Sequence, residues 1–106
     1  MKILFDQGTP EPLRRTLSGH LIATAFEQGW SNLQNGDLIR IAETEGFQAL
    51  ITTDQNLKYQ QNRDRKLAIL VLLTTSWPKI QQQLEKVATA VNSLKPGDYQ
   101  ELDFSS

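Results

Sequence analysis

The feature that most constrains this chain is a set of short apolar runs that are continuous rather than alternating: KILF near the start, LIATAF, ALITT, and LAILVLLTT, the most apolar of all. A strand with one wet face alternates polar and apolar residues, whereas a strand covered on both faces does not. Segments of helical spacing lie between these runs. Strands alternating with helices, each strand buried on both sides, predict an α/β domain: a three-layer sandwich around a mainly parallel sheet. LAILVLLTT is the natural candidate for a central strand.

The punctuation between the runs supports the same plan. In QGTPEP, Thr9 is a candidate N-cap with Pro10 at the first helical position, where a missing N–H costs nothing. Leu13 and Leu17 share one face of this short helix, and Gly19 stops it. HLIATAF is the second strand, followed by EQGWSNLQNG as a polar loop. DLIRIAETE reads as a helix opened by Asp37 and stopped by Gly46, and FQALITTD as the third strand. QNLKYQQNRDRK is polar and basic, a short helix and turn. After LAILVLLTT, Ser76 or Thr75 can cap one long helix with Pro78 in its first turn. Its apolar stripe is Ile80, Leu84, Val87, Val91 and Leu94. Pro96-Gly97 turns the chain, and YQELDF is a candidate short edge strand. Right-handed crossovers leave few topologies, and the expected order is 2-1-3-4, with the first and third strands side by side.

The 106 residues make a single domain, 1–106. With no cysteine there is no disulfide, thiolate metal site or cysteine nucleophile, which suits a reducing compartment. No apolar run reaches the roughly 20 residues that span a bilayer, and MKILFD enters a strand without a secretory leader pattern. The expectation is a cytoplasmic protein with no membrane partner. A net charge of −1 excludes nucleic-acid binding by bulk positive charge, so any such contact needs a local basic patch.

Two of the strongest strands end in an acid, Asp6 after KILF and Asp54 after LITT. In open parallel sheets, ligands bind beyond the carboxyl ends of the strands where the connection order reverses. With the order above, that point lies between the first and third strands, about 4.8 Å apart. Asp37, opening the helix that feeds the third strand, is expected at the same end. Two carboxylates about 5 Å apart repel by about 3 kcal/mol at an effective dielectric near 20. Such a cluster calls for a proton, a basic side chain or a cation, and oxygen-only ligands favour a hard ion such as Mg²⁺ or Mn²⁺. Water on such an ion can serve as the nucleophile in phosphodiester hydrolysis. The competing explanation is local: an Asp after a strand is a common turn former, and an Asp at a helix start a common cap.

The stretch from Asp37, DLIRIAETEGFQALITTDQNL, resembles the later acids of PIN domains, in which an Asp opens a helix of the D-x-x-I-x-x-x-A kind and the next strand ends in T-x-D. MKILFDQGTP, the SGH turn and the PGDYQEL tail resemble the shortened, VapC-related PIN-like proteins in particular. The likeness covers nearly the whole chain. It implies a PIN-like fold and Mg²⁺- or Mn²⁺-dependent endoribonuclease activity, with a toxin role in a toxin–antitoxin system and an antitoxin protein as partner. By position, Asp6, Asp37 and Asp54 match the metal-binding and catalytic acids, and Thr52 the threonine of T-x-D, placed to orient a carboxylate or a metal-bound water. The chain departs from the pattern in three places. Gln7 and Gly8 follow Asp6 where an acidic-polar pair is usual, Asn56 stands where a further aspartate often follows, and no acid on an early helix is assigned.

Lys58, Arg63, Arg65 and Lys66 form a basic stretch after Asp54, and together with Arg14 and Arg15 they are candidates to hold RNA phosphates. A solvated segment balanced by Asp64 is the preferred explanation of the stretch. His20 reads as a turn residue, Trp30 as a base-stacking, buried or partner-contacting ring, and Trp77 as the anchor of the last helix. The outer side of that helix is a candidate homodimer face. Two further functions fit the same pattern. One is a PIN-like module that has lost activity and acts as a binding or regulatory protein. The other is a receiver-like signalling domain, with Thr74 or Thr75 after the fourth strand.

Overall fold

The apolar runs become strands whose side chains divide between two cores. This computed structural model describes residues 1–33, 35–55 and 66–105. Lys2–Phe5 forms β1, Leu21–Thr24 β2, Ala49–Thr52 β3, Ala68–Leu72 β4 and Tyr99–Leu102 β5. Successive strand residues point to opposite faces. Accordingly Ile3, Phe5, Ile51 and Leu70 belong to one buried cluster, and Leu4, Leu50, Ile69 and Val71 to the other. Every residue of β3 and β4 is buried, which is why their sequences show no alternation.

All five strands are parallel, in the order β2-β1-β3-β4-β5. The expected 2-1-3-4 order is therefore present, with β5 added beside β4. LAILVLLTT supplies an interior strand, although β3 occupies the middle of the sheet. The two edge strands are the least buried.

The helices bring apolar residues to both cores. α1 (Leu13–Thr16), α4 (Trp77–Gln81) and α5 (Leu84–Ser93) contribute Leu13, Ile80, Val87 and Val91 to the first cluster. α2 (Ala25–Gln28) and α3 (Asn35–Thr44) contribute Ala25, Leu38 and Ala42 to the second. Among the described residues no helix is long and apolar enough to cross a membrane.

Several local expectations change. Pro12, not Thr9, is the N-cap of α1; Thr9 is instead buried and donates its hydroxyl to Ile51 O at 2.8 Å. The second strand ends at Thr24 rather than Phe26, and Ala25–Gln28 form α2, a single turn held by a capping box. The Thr24 hydroxyl accepts from Glu27 N, the Glu27 carboxylate accepts from Thr24 N, and Gly29 closes the turn at φ 80°. Such a cap contributes about 1 kcal/mol. α3 begins at Asn35, so Asp37 lies in its first turn rather than at its cap. The single final helix is two, because Gln83 leaves helical dihedrals (φ −134°, ψ 40°). Its side-chain amide donates to Phe104 O instead, tying the break to the chain beyond β5. Ser76 stands at the N-cap of α4 without a side-chain cap bond.

Candidate acid site at the carboxyl ends of β1 and β3

β1 and β3 pair with Phe5 opposite Ile51, so Asp6 and Thr52 occupy the next register position at the carboxyl end of the sheet. The Asp6 amide donates to Ile51 O at 2.9 Å. Thr52 is fully buried, and its hydroxyl donates to Asp6 Oδ2 at 2.8 Å. The same hydroxyl accepts from the Asp54 amide at 3.1 Å. One Thr side chain therefore joins the two strand-end aspartates, through a carboxylate on one side and a backbone N–H on the other. The other Asp6 oxygen accepts from Gln7 N at 2.7 Å, and Thr9 N donates to Asp6 O. This turn also lies directly on the loop after β3: a Cβ on Gly8 would collide with Thr53 Oγ1.

Asp37 has a different neighbour. Its carboxylate accepts from Arg40, one helical turn on, at 3.1 Å, and both side chains are well exposed. Among the described residues, no three acidic, histidine or cysteine side chains gather closely enough to hold one metal ion. What topology brings together at the first-to-third strand crevice is Asp6, Thr52 and the start of the Asp54 loop. The donor chemistry there, carboxylate and hydroxyl oxygen, suits a hard cation that keeps several waters and takes one or two carboxylates from the protein.

A cleft of about 440 Å³ opens beside Asp6. Asp6, Gln7 and Thr9 form one side, while Glu11, Phe26 and Glu27 also line it. Arg14 organises its acidic wall. The guanidinium meets both oxygens of Glu27, at 3.0 and 3.1 Å, and reaches Glu11 at 3.2 Å and Ile22 O. Hydrogen bonds from Arg14, then from the Thr24 amide, hold the Glu27 carboxyl below its ordinary range. The same bonds to Glu27, then Glu11, raise Arg14. Any anion reaching Arg14 has to compete with two carboxylates.

Glu27 is the residue that sequence reasoning missed. It is an acid on an early helix, sharing a cleft with Asp6, in a segment read as loop. The signal was present as T-x-x-E over Thr24–Glu27, a capping-box pattern, with Gly29 two residues on as the stop. Of the basic candidates, Lys58, Arg63 and Arg65 lie outside the described residues. Arg15 and Lys66 are exposed. His20 closes the turn before β2, its Nε2 hydrogen-bonded to Asn92 Oδ1 at 3.2 Å. Trp30 meets Phe47 edge-on at 5.9 Å against the second core, and Trp77 packs against the first. Compared with known proteins, the chain matches no family model, no curated protein and no solved structure.

Proposed function

We propose that this chain is a PIN-like, metal-dependent endoribonuclease of the toxin type, with its site at the carboxyl ends of β1 and β3. What supports it is the hydroxyl of Thr52, buried and shared between Asp6 and the Asp54 backbone at the point where the strand order reverses. The two cores on opposite faces of a parallel sheet accord with the three-layer PIN-like arrangement. Asp6 and Asp54 are the residues that would hold Mg²⁺ or Mn²⁺, and Asp37 joins them only by releasing Arg40. When bound, such an ion polarises a phosphoryl oxygen and lowers the pKa of its water. Thr52 fixes the Asp6 carboxylate, and the Gln7 amide satisfies its second oxygen, so both are oriented before any ligand arrives. Glu27 stands on an early helix, where the resemblance expects a further acid, but its carboxylate is already held by Arg14 and the Thr24 amide. An antitoxin partner would act by covering this end of the sheet.

Thermal unfolding with increasing Mn²⁺ tests the proposal. At about 100 times the dissociation constant, binding adds about 2.7 kcal/mol of stability. The gain is expected to vanish in Asp54→Asn, and RNA cleavage to vanish in Asp6→Asn. Wild-type protein that neither gains stability nor cleaves RNA supports instead a PIN-like module without activity. That alternative is favoured by the pairing of Asp37 with Arg40.

The strand order β2-β1-β3-β4-β5 also suits a receiver. Its Asp after β3 and Thr74 after β4 have counterparts here, but Asp103 and Phe104 follow β5 where a receiver carries a lysine. Acetyl phosphate labelling of Asp54 would identify that class.

A further inference from the structure

At the opposite end of the sheet from Asp6, a cavity of about 310 Å³ opens between the amino ends of β1, β3 and β4 and the segment joining α5 to β5. Its volume lies at the lower end of the range for small-molecule sites, about 300–1,000 Å³. Met1, Phe47, Ala68, Leu94 and Pro96 supply an apolar wall. Gln48, Lys66 and Lys95 supply the polar side chains, and among the described residues no acid lines the cavity.

These polar groups share one character: they donate. The backbone carbonyls of Met1, Gln48, Lys66 and Lys95 already accept from the amides of Leu21, Ala68, Gly97 and Asp98. Gln48 Oε1 accepts from Lys2 N at 2.9 Å, so what its side chain has left to offer is the NH₂ group. Glu43 and Asp98 meet the two lysines at the backbone and not at the ammonium. Glu43 Oε1 accepts from Lys66 N and Leu67 N, and Asp98 Oδ2 from Lys95 N. Among the described residues neither ammonium is in an ion pair. Lys2, at the same end of the sheet, is already engaged: its ammonium donates to Glu45 O at 2.7 Å and lies over the Phe47 ring at 4.4 Å.

A ligand that suits this cavity has acceptors and negative charge at one end and an apolar body at the other. A cation is repelled by two ammonium groups, a bare inorganic anion leaves the apolar wall in water, and an uncharged apolar molecule leaves the donors unmatched. We infer that the cavity binds a small organic acid, an aromatic or branched carboxylate. Its apolar body meets the Phe47 and Leu94 wall, and Lys66, Lys95 and the Gln48 amide hold its carboxylate. The site is at the amino ends of the strands and the aspartates are at the carboxyl ends, so it stands apart from the ribonuclease reading.

The test is a titration with 1-naphthoate followed by NMR. Met1 is the only methionine, so its methyl signal reports on this cavity, together with the amides of Phe47, Gln48 and Ala68. These signals are expected to move, while the amides of Asp6 and Thr52 at the far end stay in place. Removing charge from either partner is expected to weaken binding by about 2- to 30-fold, the range for two exposed ion pairs. In the ligand this is done with 1-naphthalenemethanol, which keeps the ring, and in the protein with Lys66→Gln and Lys95→Gln together. Gln48→Glu keeps the acceptor for Lys2 N and brings a carboxylate to the site, so it too is expected to weaken naphthoate. Inorganic phosphate at the same concentration is expected to leave the signals unmoved. All three substituted residues are exposed, so the variants are expected to keep the fold. Wild type whose cavity signals ignore naphthoate overturns the inference. So do equal binding of the alcohol, unchanged affinity in the double lysine variant, and equal movement with phosphate. Cavity signals that move with an RNA oligonucleotide and not with naphthoate overturn it as well.

Discussion

The hydroxyl of Thr52 donates to Asp6 Oδ2 at 2.8 Å across the β1–β3 pair, although the two residues are 46 positions apart. Because Thr52 is completely buried, water cannot replace this bond. The same oxygen receives the Asp54 amide, so one atom sets the relative position of two strand ends.

Thr52→Val retains the side-chain shape and removes that oxygen. Asp6 loses a donor and the Asp54 amide loses an acceptor. Unfolding in urea is expected to show a loss of about 1–3 kcal/mol, the usual cost of unmaking a buried hydrogen bond. Thr52→Ser is expected to recover most of it. Under the nuclease proposal, Mn²⁺ affinity falls in Thr52→Val and returns in Thr52→Ser.

Gly8 permits the contact between the loops after β1 and β3. A methyl at this position meets Thr53 Oγ1 at less than van der Waals distance. Gly8→Ala is expected to destabilise the protein by about 1–3 kcal/mol, the range for overpacking. Thr53→Ala in the same chain removes the colliding atom. A double-mutant cycle then shows a favourable coupling between the two changes; strict additivity would mean that the loops separate easily.

Arg14 and Glu27 predict a pH response. The folded Glu27 carboxyl lies below its ordinary value, chiefly through its Arg14 hydrogen bonds. For a depressed carboxyl, the stability contribution is complete above the ordinary glutamate range and is lost as pH falls through the lowered folded value. Arg14→Met is expected to move the Glu27 titration back toward its ordinary range, without reaching it, because the Thr24 amide bond remains. Carboxyl-carbon NMR titration measures this directly.

Asp37 and Asp6 are expected to behave differently. Asp37 is exposed and paired with Arg40 on its own helix, an arrangement in which a pair contributes little. Asp37→Asn is expected to change metal-free stability by less than about 0.5 kcal/mol and to keep more of the Mn²⁺-induced thermal shift than Asp6→Asn does. An equal loss of the shift in both variants would make Asp37 a full ligand that exchanges Arg40 for the ion.

Much of the scaffold was legible because its signals are local. Continuous apolar runs marked the buried strands, Gly46 marked the end of α3, and the spacing of Ile80, Val87 and Val91 marked the inner face of the last helical region. Two strand-end acids could be assigned to one end of the sheet from chain direction alone. The break at Gln83 could not be read this way, because what accompanies it is a bond to Phe104 O, 21 residues away. The turn at Thr24–Glu27 was readable in principle and was hidden because Ala25 and Phe26 continue the apolar run of the second strand.

Burial of a segment on both faces follows from its residue pattern, and crossover geometry narrows the order of parallel strands, since both act within or between neighbouring elements. The long-range partners of the site residues follow from how the packed elements align. Asp6 meets Thr52 through the β1–β3 register and Arg14 meets Glu27 across 13 residues, whereas the Asp37–Arg40 pair, one helical turn apart, is local. Hydrogen bonds depend on ångström-scale placement, and that placement is set by how packed elements align, which no pattern of residue types along the chain encodes locally.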